Sequence, residues 1–442
     1  MSCQNRWRQS EFILGTFWDP PVHIEPRYLD SDLRGFRLAR DAGFNLLTGT
    51  QIEPNIDRSF DGMKCALKLA WQTGLQYLVA DERFYPAYGC IFDKSKAKEL
   101  VDAYKKLPAS LRSAMFGYNL CDEPYFEQDH FKSISQWKWL IETSDPSKLV
   151  YLNLASSYAP SYNWGGFRGG NEDRVLDANE RDEYESYLSL YIDNLRPTVI
   201  SFDHYPFFAD GTIRRDYYYN LSVIRRKAGK RPFWAYPMTV GHLAYSDPSE
   251  AQLNFMYFCP IAYGAKGLID FCFWTPSDNE NYRESLIDAN GEPTRRYFLI
   301  KRLNLYVRRI LEPVVMRVPN VMTYHVSSYP QNQLYISDEI GEDSTRVLFA
   351  DDEHVMVGVF ANPSNRYLLV VNKSLSTISS VRIHLKGQVS RIFFSPRVVG
   401  FTDTTQLKYR QQPIKIDGQT NTSTFLIPEL IGGEGRLVRL GR

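Results

Sequence analysis

The chain has 442 residues, and its 43% hydrophobic and 23% charged residues are proportions typical of globular proteins. This length exceeds one ordinary hydrophobic core and predicts two domains, one of them large. The 52 basic and 51 acidic residues give a net charge of +1 without a long basic run, which disfavours a nucleic-acid partner. No apolar stretch approaches the roughly 20 residues of a membrane span, so no transmembrane segment is predicted.

Residues 1–312 alternate short apolar runs with segments of helical period, for example 33–41, 59–73, 95–106, 182–195 and 248–262. Eight such runs are strand candidates: 12–17, 44–48, 77–80, 115–120, 149–154, 199–202, 233–236 and 267–273. Eight βα units in about 300 residues predict a closed (β/α)8 TIM barrel. An open doubly wound sheet is disfavoured because no glycine-rich phosphate loop follows the first strand.

Residues 313–442 show a different pattern, with short apolar or alternating runs at 347–350, 355–360, 367–371 and 381–385. Turn residues such as Asn362-Pro363-Ser364-Asn365 separate two of these runs. This pattern predicts a C-terminal antiparallel β-sandwich domain after a barrel domain of residues 1–312.

Polar and aromatic residues follow or end the predicted barrel strands, where the active site of such a barrel lies. Carboxylates, amides and flat rings that converge on one mouth suit a carbohydrate, whose hydroxyls need hydrogen bonds and whose ring needs a platform. The candidate substrate-binding residues are Trp18, Asn153, Tyr205, Trp234, Tyr236 and Trp274.

Asp122 and Glu123 are the strongest catalytic candidates, because two adjacent acids end an otherwise apolar strand and Pro124 restricts the chain beyond them. Like charges placed side by side raise at least one pKa, and a general acid for a glycosidic oxygen needs a raised pKa. Asp203, after strand six, is the third candidate catalytic residue.

The sequence predicts no metal site and no cofactor. His204 and His242 lack a third ligand at metal-binding spacing, no Cys-x-x-Cys pair occurs among the six cysteines, and no G-x-S-x-G elbow is present. Cys3 lies close to the first residue, as in a processed bacterial lipoprotein. We therefore expect a possible lipid anchor at Cys3 and a periplasmic or cell-surface location, with a cytoplasmic location as the alternative.

The segment Tyr118-Asn119-Leu120-Cys121-Asp122-Glu123-Pro124 resembles the strand-four signature of barrel glycoside hydrolases with an Asp-Glu-Pro motif. It is similar to that of β-N-acetylgalactosaminidases whose Asp-Glu pair works by substrate assistance. Residues 202–206 look like a turn after strand six in related barrel families, and residues 286–294 look like a segment of retaining barrel galactosidases. The resemblance implies a glycosidase of β-linked glycans, with Glu123 as acid/base and Asp122 as polariser or second carboxylate.

The sequence departs from the large retaining clan with this barrel, which carries Asn-Glu after strand four and a nucleophilic Glu after strand seven. Here Asp122 replaces the Asn, and strand seven continues as Ala235-Tyr236-Pro237-Met238-Thr239 without an acid. Three explanations stay open: attack by the substrate's own N-acetyl group, use of Asp203 as nucleophile or base, or a barrel that binds carbohydrate without cleaving it.

Overall fold

The structure is a computed structural model that describes residues 6–49, 56–84, 92–124, 127–159, 176–277, 281–325, 347–350, 352 and 354–441. Within these residues, eight parallel strands pair in chain order and close on themselves, because β1 pairs with both β2 and β8. The predicted TIM barrel is therefore confirmed. The strands are β1 (Ile13–Phe17), β2 (Leu46–Leu47), β3 (Gln76–Val79), β4 (Met115–Asp122), β5 (Leu149–Leu154), β6 (Ile200–Asp203), β7 (Phe233–Tyr236) and β8 (Gly267–Phe271).

Four of the described helices between the strands, α2, α3, α6 and α8, begin at a residue whose side chain accepts a hydrogen bond from the free backbone amides of the first turn. Ser59 accepts a hydrogen bond from the Gly62 amide at the start of α2, and Gly74, which caps its end, is in the left-handed region with φ of 71°. The helices in the chain up to β9 are α1 (Leu29–Asp41), α2 (Phe60–Thr73), α3 (Lys94–Lys105), α4 (Ala109–Ala114), α5 (Gln128–Ser144), α6 (Ala178–Leu188), α7 (Tyr217–Ala228), α8 (Glu250–Ala262), α9 (Arg295–Tyr306) and α10 (Glu312–Val315).

The chain from residue 320 onward forms two antiparallel sheets in its described part. One has the order β10-β13-β17-β16 and the other β15-β14-β18-β12-β11-β9. Both contribute to one apolar core, for example Ile383 from the first sheet and Val357 from the second, so the predicted β-sandwich is confirmed. The strands are β9 (Asn320–His325), β10 (Val347–Ala350), β11 (Val355–Ala361), β12 (Arg366–Asn372), β13 (Val381–Lys386), β14 (Arg391–Phe394), β15 (Arg410–Gln412), β16 (Lys415–Asp417), β17 (Thr422–Ile427) and β18 (Gly435–Gly441).

Two compact units emerge from the contacts within the chain. The first holds Met1–Tyr205, Lys227–Leu243 and Gly267–Tyr297, and the second holds Pro206–Arg226, Ala244–Lys266 and Phe298–Arg442. All eight barrel strands belong to the first unit, whereas α8 belongs to the second. The domain boundary at residues 312–313 stays a prediction about the order of domains along the chain. In the part of the chain that the structure describes, no helix combines the length and apolarity needed to cross a membrane.

Helix α8 packs directly on the backbone of the second unit's sheet. A Cβ added at Gly358 of β11 would lie 2.3 Å from the carbonyl oxygen of Ala262, and one added at Gly435 of β18 would lie 2.3 Å from Phe258 Cδ1. The loop residue Gly433 is equally close to the carbonyl oxygen of Ala251. The sheet can approach α8 this closely only because these positions lack a side chain.

Gly117→Ala should destabilise the barrel, because a Cβ at this position of β4 would lie 2.1 Å from the Leu149 carbonyl oxygen on the paired strand β5. We expect a loss of about 1–3 kcal/mol in the free energy of unfolding, the usual cost of overpacking. Urea denaturation of Gly418→Ala is the control, because nothing lies within 4 Å of a Cβ at that glycine. Equal midpoints for the two variants would contradict this prediction.

Candidate active site

The carboxyl ends of the barrel strands surround one small pocket of about 180 Å³. Strands β1, β4, β6, β7 and β8 each end on a residue that lines it. This is the end of the barrel at which TIM-barrel enzymes place their chemistry. The lining residues are Phe17, Trp18, Asp122, Glu123, Asn153, Asp203, Tyr205, Tyr236, His242, Phe271 and Tyr282.

Glu123, which lines this pocket, has an unusual backbone conformation. Its φ is 44°, in the left-handed region that side chains other than glycine rarely adopt, and its amide donates to the Asn153 carbonyl oxygen at 2.9 Å. Trp18, with φ of 58°, is a second pocket residue in this region. Strain of this kind costs about 1–3 kcal/mol per residue and concentrates at functional sites. Here it coincides with the sharp turn by which the chain leaves β4.

Three carboxyl groups meet in the pocket. The Asn153 amide nitrogen donates to Asp122 Oδ1 at 3.1 Å and to Asp203 Oδ1 at 3.0 Å. Asp203 also hydrogen bonds to the Glu123 side chain, and this bond lowers the pKa of Asp203. Two carboxyl groups can form a hydrogen bond with each other only when one of them is protonated, because an ionised carboxylate has no hydrogen to donate. The hydrogen-bonded pair of Glu123 and Asp203 therefore holds one proton in the pocket.

Burial is the largest cause of the raised pKa values of Asp122 and Asp203. It raises the pKa of Asp122 to about 7, and the negative charge of Asp203 acts in the same direction, whereas the hydrogen bond from Asn153 opposes the shift. Burial also raises the pKa of Asp203 to about 6 against the hydrogen bonds from Glu123 and Asn153. The pocket thus holds an acid that titrates near neutral pH, as general acid–base chemistry requires.

These raised pKa values predict that the free energy of unfolding falls as the pH rises from about 4 to 8. Both acids bind protons more tightly in the folded chain than at the ordinary Asp pKa of about 3.9, so their stabilising contribution is complete below that pH and is lost through about pH 6–7. Asp122→Asn should reduce this fall by about 1–3 kcal/mol. Urea unfolding at pH 5 and pH 8 measures it, with exposed Asp129→Asn as the control. A fall as large in Asp122→Asn as in the unmodified chain would contradict the prediction.

A chain of buried hydroxyl groups continues from the carboxyl cluster toward β7. Asn153 Oδ1 accepts from Ser201 Oγ at 3.0 Å, and Ser201 Oγ lies 2.9 Å from the Tyr151 hydroxyl. The Tyr151 hydroxyl lies 2.8 Å from that of Tyr236. Adjacent strands supply these groups because Asn153 pairs with Ser201 in the sheet and Asp203 pairs with Tyr236.

Aromatic rings line the pocket together with the carboxyl cluster. The rings of Trp18 and Tyr282 are 5.5 Å apart, and His242 stacks on Tyr282 at 5.3 Å. Tyr205 lies 5.3 Å from Phe271. A small pocket lined by both acids and flat rings suits a ligand that has polar groups and an apolar face.

The structure brings together most of the residues that the sequence predicts for the site. The pocket is lined by all three catalytic candidates, Asp122, Glu123 and Asp203. The substrate-binding candidates Trp18, Asn153, Tyr205 and Tyr236 line it as well.

Trp234 and Trp274 do not line the pocket, which corrects their expected role as platforms. The Trp234 side chain is fully buried inside the barrel, where it stacks on Tyr151 at 5.6 Å and its Nε1 donates to Gln9 at 3.0 Å. The Trp274 ring packs against Gly35 of α1 and against Gly291.

Sequence reasoning missed four lining residues as members of the site. Phe17 and Phe271 are the last residues of β1 and β8, so strand-end position was an available signal. His242 follows β7, so its position after a strand was a signal for it as well, whereas Tyr282 lies in a loop without periodicity and no sequence pattern assigns it to the pocket. Among the residues that the structure describes, no group of three or more His, Cys, Asp or Glu side chains is arranged to hold a metal ion.

Comparison with known proteins gives similarity of structure without similarity of sequence. No family sequence profile matches the chain, and no curated protein sequence matches it. A β-galactosidase from Bacillus circulans sp. alkalophilus matches with a TM-score of 0.60 and 10% identity, over 98% of this chain and 99% of that one. An α-amylase from Anoxybacillus matches with a TM-score of 0.50 and 9% identity, over 98% and 99% of the two chains. At this level of identity the similarity shows a shared fold.

Proposed function

We propose that the protein is a glycoside hydrolase that cleaves a β-linked glycan, with Glu123 as its general acid. The observation that carries this proposal is that Asp122, Glu123 and Asp203 together line a pocket at the carboxyl ends of the barrel strands, where Asn153 binds two of them. Glycosidic cleavage needs a proton for the leaving oxygen, and a carboxyl group such as Glu123, hydrogen bonded to a second carboxyl group, is suited to supply it. The shared fold with a β-galactosidase and an α-amylase supports the same class of reaction.

The spacing of the carboxyl groups argues against Glu123 and Asp203 as an ordinary catalytic pair, and against Asp122 and Asp203 as an inverting pair. Glu123 and Asp203 are in direct hydrogen-bond contact, closer than the roughly 5–5.5 Å of retaining pairs. Asp122 Oδ1 and Asp203 Oδ1 both bind one nitrogen, at 3.1 and 3.0 Å, so they lie closer than the roughly 6.5–9.5 Å of inverting pairs. None of the lining residues that the structure describes is an acid from β7.

A substrate-assisted reaction fits this arrangement better. The acetamide oxygen of a 2-acetamido sugar attacks the anomeric carbon, the bond to the leaving oxygen breaks, and that oxygen takes the Glu123 proton. Asp122 accepts the hydrogen bond of the acetamide N–H, on which positive charge develops. Water then attacks the anomeric carbon, gives its proton to Glu123 and restores the acetamide. This proposal makes Asp122 the polariser.

Hydrolysis of paired synthetic substrates tests the proposal. The purified chain should release 4-methylumbelliferone from the β-glycoside of N-acetylgalactosamine or N-acetylglucosamine, and not from the matching 2-hydroxy sugars. N-Trifluoroacetyl substrates should react more slowly because their carbonyl oxygen is a weaker nucleophile. Equal rates on 2-hydroxy sugars would contradict substrate assistance.

A non-catalytic carbohydrate-binding barrel is the second candidate, favoured by the missing acid on β7. Binding of an N-acetyl sugar without any hydrolysis would favour it. Cys3 lies outside the described residues, so the lipid anchor and the periplasmic or cell-surface location stay proposals.

A further inference from the structure

Asn153 is buried at the centre of the carboxyl cluster, and the amide nitrogen and oxygen of its side chain face different partners. We propose that Asn153 is a positioning residue that fixes Asp122 and Asp203 relative to each other, and that the hydroxyl chain of Ser201, Tyr151 and Tyr236 fixes Asn153. This inference rests on the proposed hydrolase function. It replaces the substrate-binding role that the sequence predicts for Asn153.

The partners of Asn153 determine which way its amide points. Two carboxylates face one end of the side chain, at 3.1 and 3.0 Å, and only the NH2 group can donate to both. The carbonyl oxygen therefore faces Ser201. A flipped amide would place oxygen against two carboxylates and NH2 against a serine that could no longer donate to it.

This orientation fixes the direction of every hydroxyl in the chain. A carbonyl oxygen only accepts hydrogen bonds, so Ser201 donates its single hydroxyl hydrogen to Asn153 Oδ1. Ser201 must then accept from Tyr151, and Tyr151 must accept from Tyr236. Consecutive bonds that point the same way polarise one another and resist reorientation.

Both protons of the Asn153 NH2 group are used by the carboxylates, so this residue has no donor left for a substrate. Tyr236 likewise donates its only hydroxyl hydrogen to Tyr151. Its oxygen can therefore only accept a hydrogen bond from a ligand in the pocket. A substrate hydroxyl or N–H can donate a hydrogen bond to Tyr236, whereas a substrate carbonyl oxygen cannot receive one from it.

The charge balance of the site depends on Asn153. Its hydrogen bonds lower the pKa of both Asp122 and Asp203, against burial. Other titratable groups also surround the carboxyl cluster, and they are a carboxyl group, a thiol, phenols and an imidazole, without a permanent positive charge. They are Glu123, Cys121, Tyr151, Tyr187, Tyr205, Tyr236 and His242.

The test compares Asn153→Ala, Ser201→Ala and Tyr151→Phe with Thr48→Val. Ser201 and Tyr151 do not line the pocket, and Tyr151→Phe keeps the ring that stacks on Trp234. Thr48→Val is a matched control because it removes a buried barrel hydroxyl that donates to a backbone carbonyl at 2.9 Å. Carbon-13 NMR of labelled Asp carboxyl groups follows their titration without any substrate, and pH profiles of kcat and KM follow catalysis.

We expect Asn153→Ala to raise the apparent pKa values of the Asp122–Asp203 pair by about one unit. Its kcat should fall at least tenfold at neutral pH while KM stays within about twofold. Ser201→Ala and Tyr151→Phe should shift the titration by less and in the same direction, and Thr48→Val should leave it unchanged.

Unchanged carboxyl titration in Asn153→Ala with a raised KM would overturn the inference and return Asn153 to substrate binding. Shifts as large in Thr48→Val as in Ser201→Ala would overturn the role of the hydroxyl chain. If the unmodified chain cleaves no glycan, the proposed function fails, and the carboxyl titrations still decide whether Asn153 positions the two acids.

Discussion

Glu123→Gln should reduce the hydrolysis rate by about 10²–10⁴-fold, the usual loss when a general acid is removed. The amide keeps the shape of the side chain and can still donate to Asp203, but it cannot transfer a proton to the leaving oxygen. Substrate affinity and the free energy of unfolding should stay close to those of the unmodified chain. Steady-state rates on the best aryl glycoside, together with calorimetric binding of the same sugar, measure these quantities.

The control for Glu123→Gln is Glu127→Gln, which removes an exposed acid four residues further along the chain. It should retain full activity. A substrate with a better leaving group, such as a dinitrophenyl glycoside, should partly restore Glu123→Gln because that oxygen departs without a proton. A glycan that Glu123→Gln cleaves at the unmodified rate would refute the assignment of the acid.

Asp122→Asn should cause a loss of about 10²–10³-fold, comparable to removal of an electrostatic group that stabilises the transition state. An amide cannot supply the negative charge that stabilises the acetamide as it becomes positive. Asp203→Asn should cost less. It should also let activity extend to lower pH, because the charge of Asp203 raises the pKa of Asp122 and its removal lowers that pKa. The pH profiles of kcat/KM for both variants measure these effects.

The opposite ranking of these two variants has a clear meaning. An inactive Asp203→Asn beside an active Asp122→Asn would identify Asp203 as the second carboxylate, which would require it to separate from Glu123 when substrate binds. A mild Asp122→Asn would leave Asp122 without a role in the chemistry.

Much of the site follows from counting positions along the strands. Asp122, Asp203 and Tyr236 each end an apolar run, and the carboxyl ends of parallel strands meet at one mouth. The error at Trp234 has a physical reason. Side chains along a barrel strand alternate, so Trp234 and Tyr236 both face inward but occupy different layers of the interior. The deeper layer is barrel core, and only the last layer borders the pocket.

Other properties of the site depend on contacts between strands that no sequence pattern encodes. The hydrogen bond between Glu123 and Asp203 joins residues eighty positions apart, and the left-handed conformation of Glu123 directly precedes a proline that usually favours extended backbone. The double donation by Asn153 needs the register of three neighbouring strands. The sequence predicts which residue types reach the mouth but not how they share protons.

The close fit of α8 to three glycines has a consequence for how such a chain can diversify. The helix lies between β7 and β8 in the sequence, while the glycines that accommodate it lie far downstream, at positions 358, 433 and 435. A recombination event that exchanged the C-terminal segment for an unrelated β-sandwich would replace glycine by side chains that collide with Ala251, Phe258 or Ala262. Substitutions along α8 and substitutions at these three glycines therefore constrain each other, although the positions are about a hundred or more residues apart in the sequence.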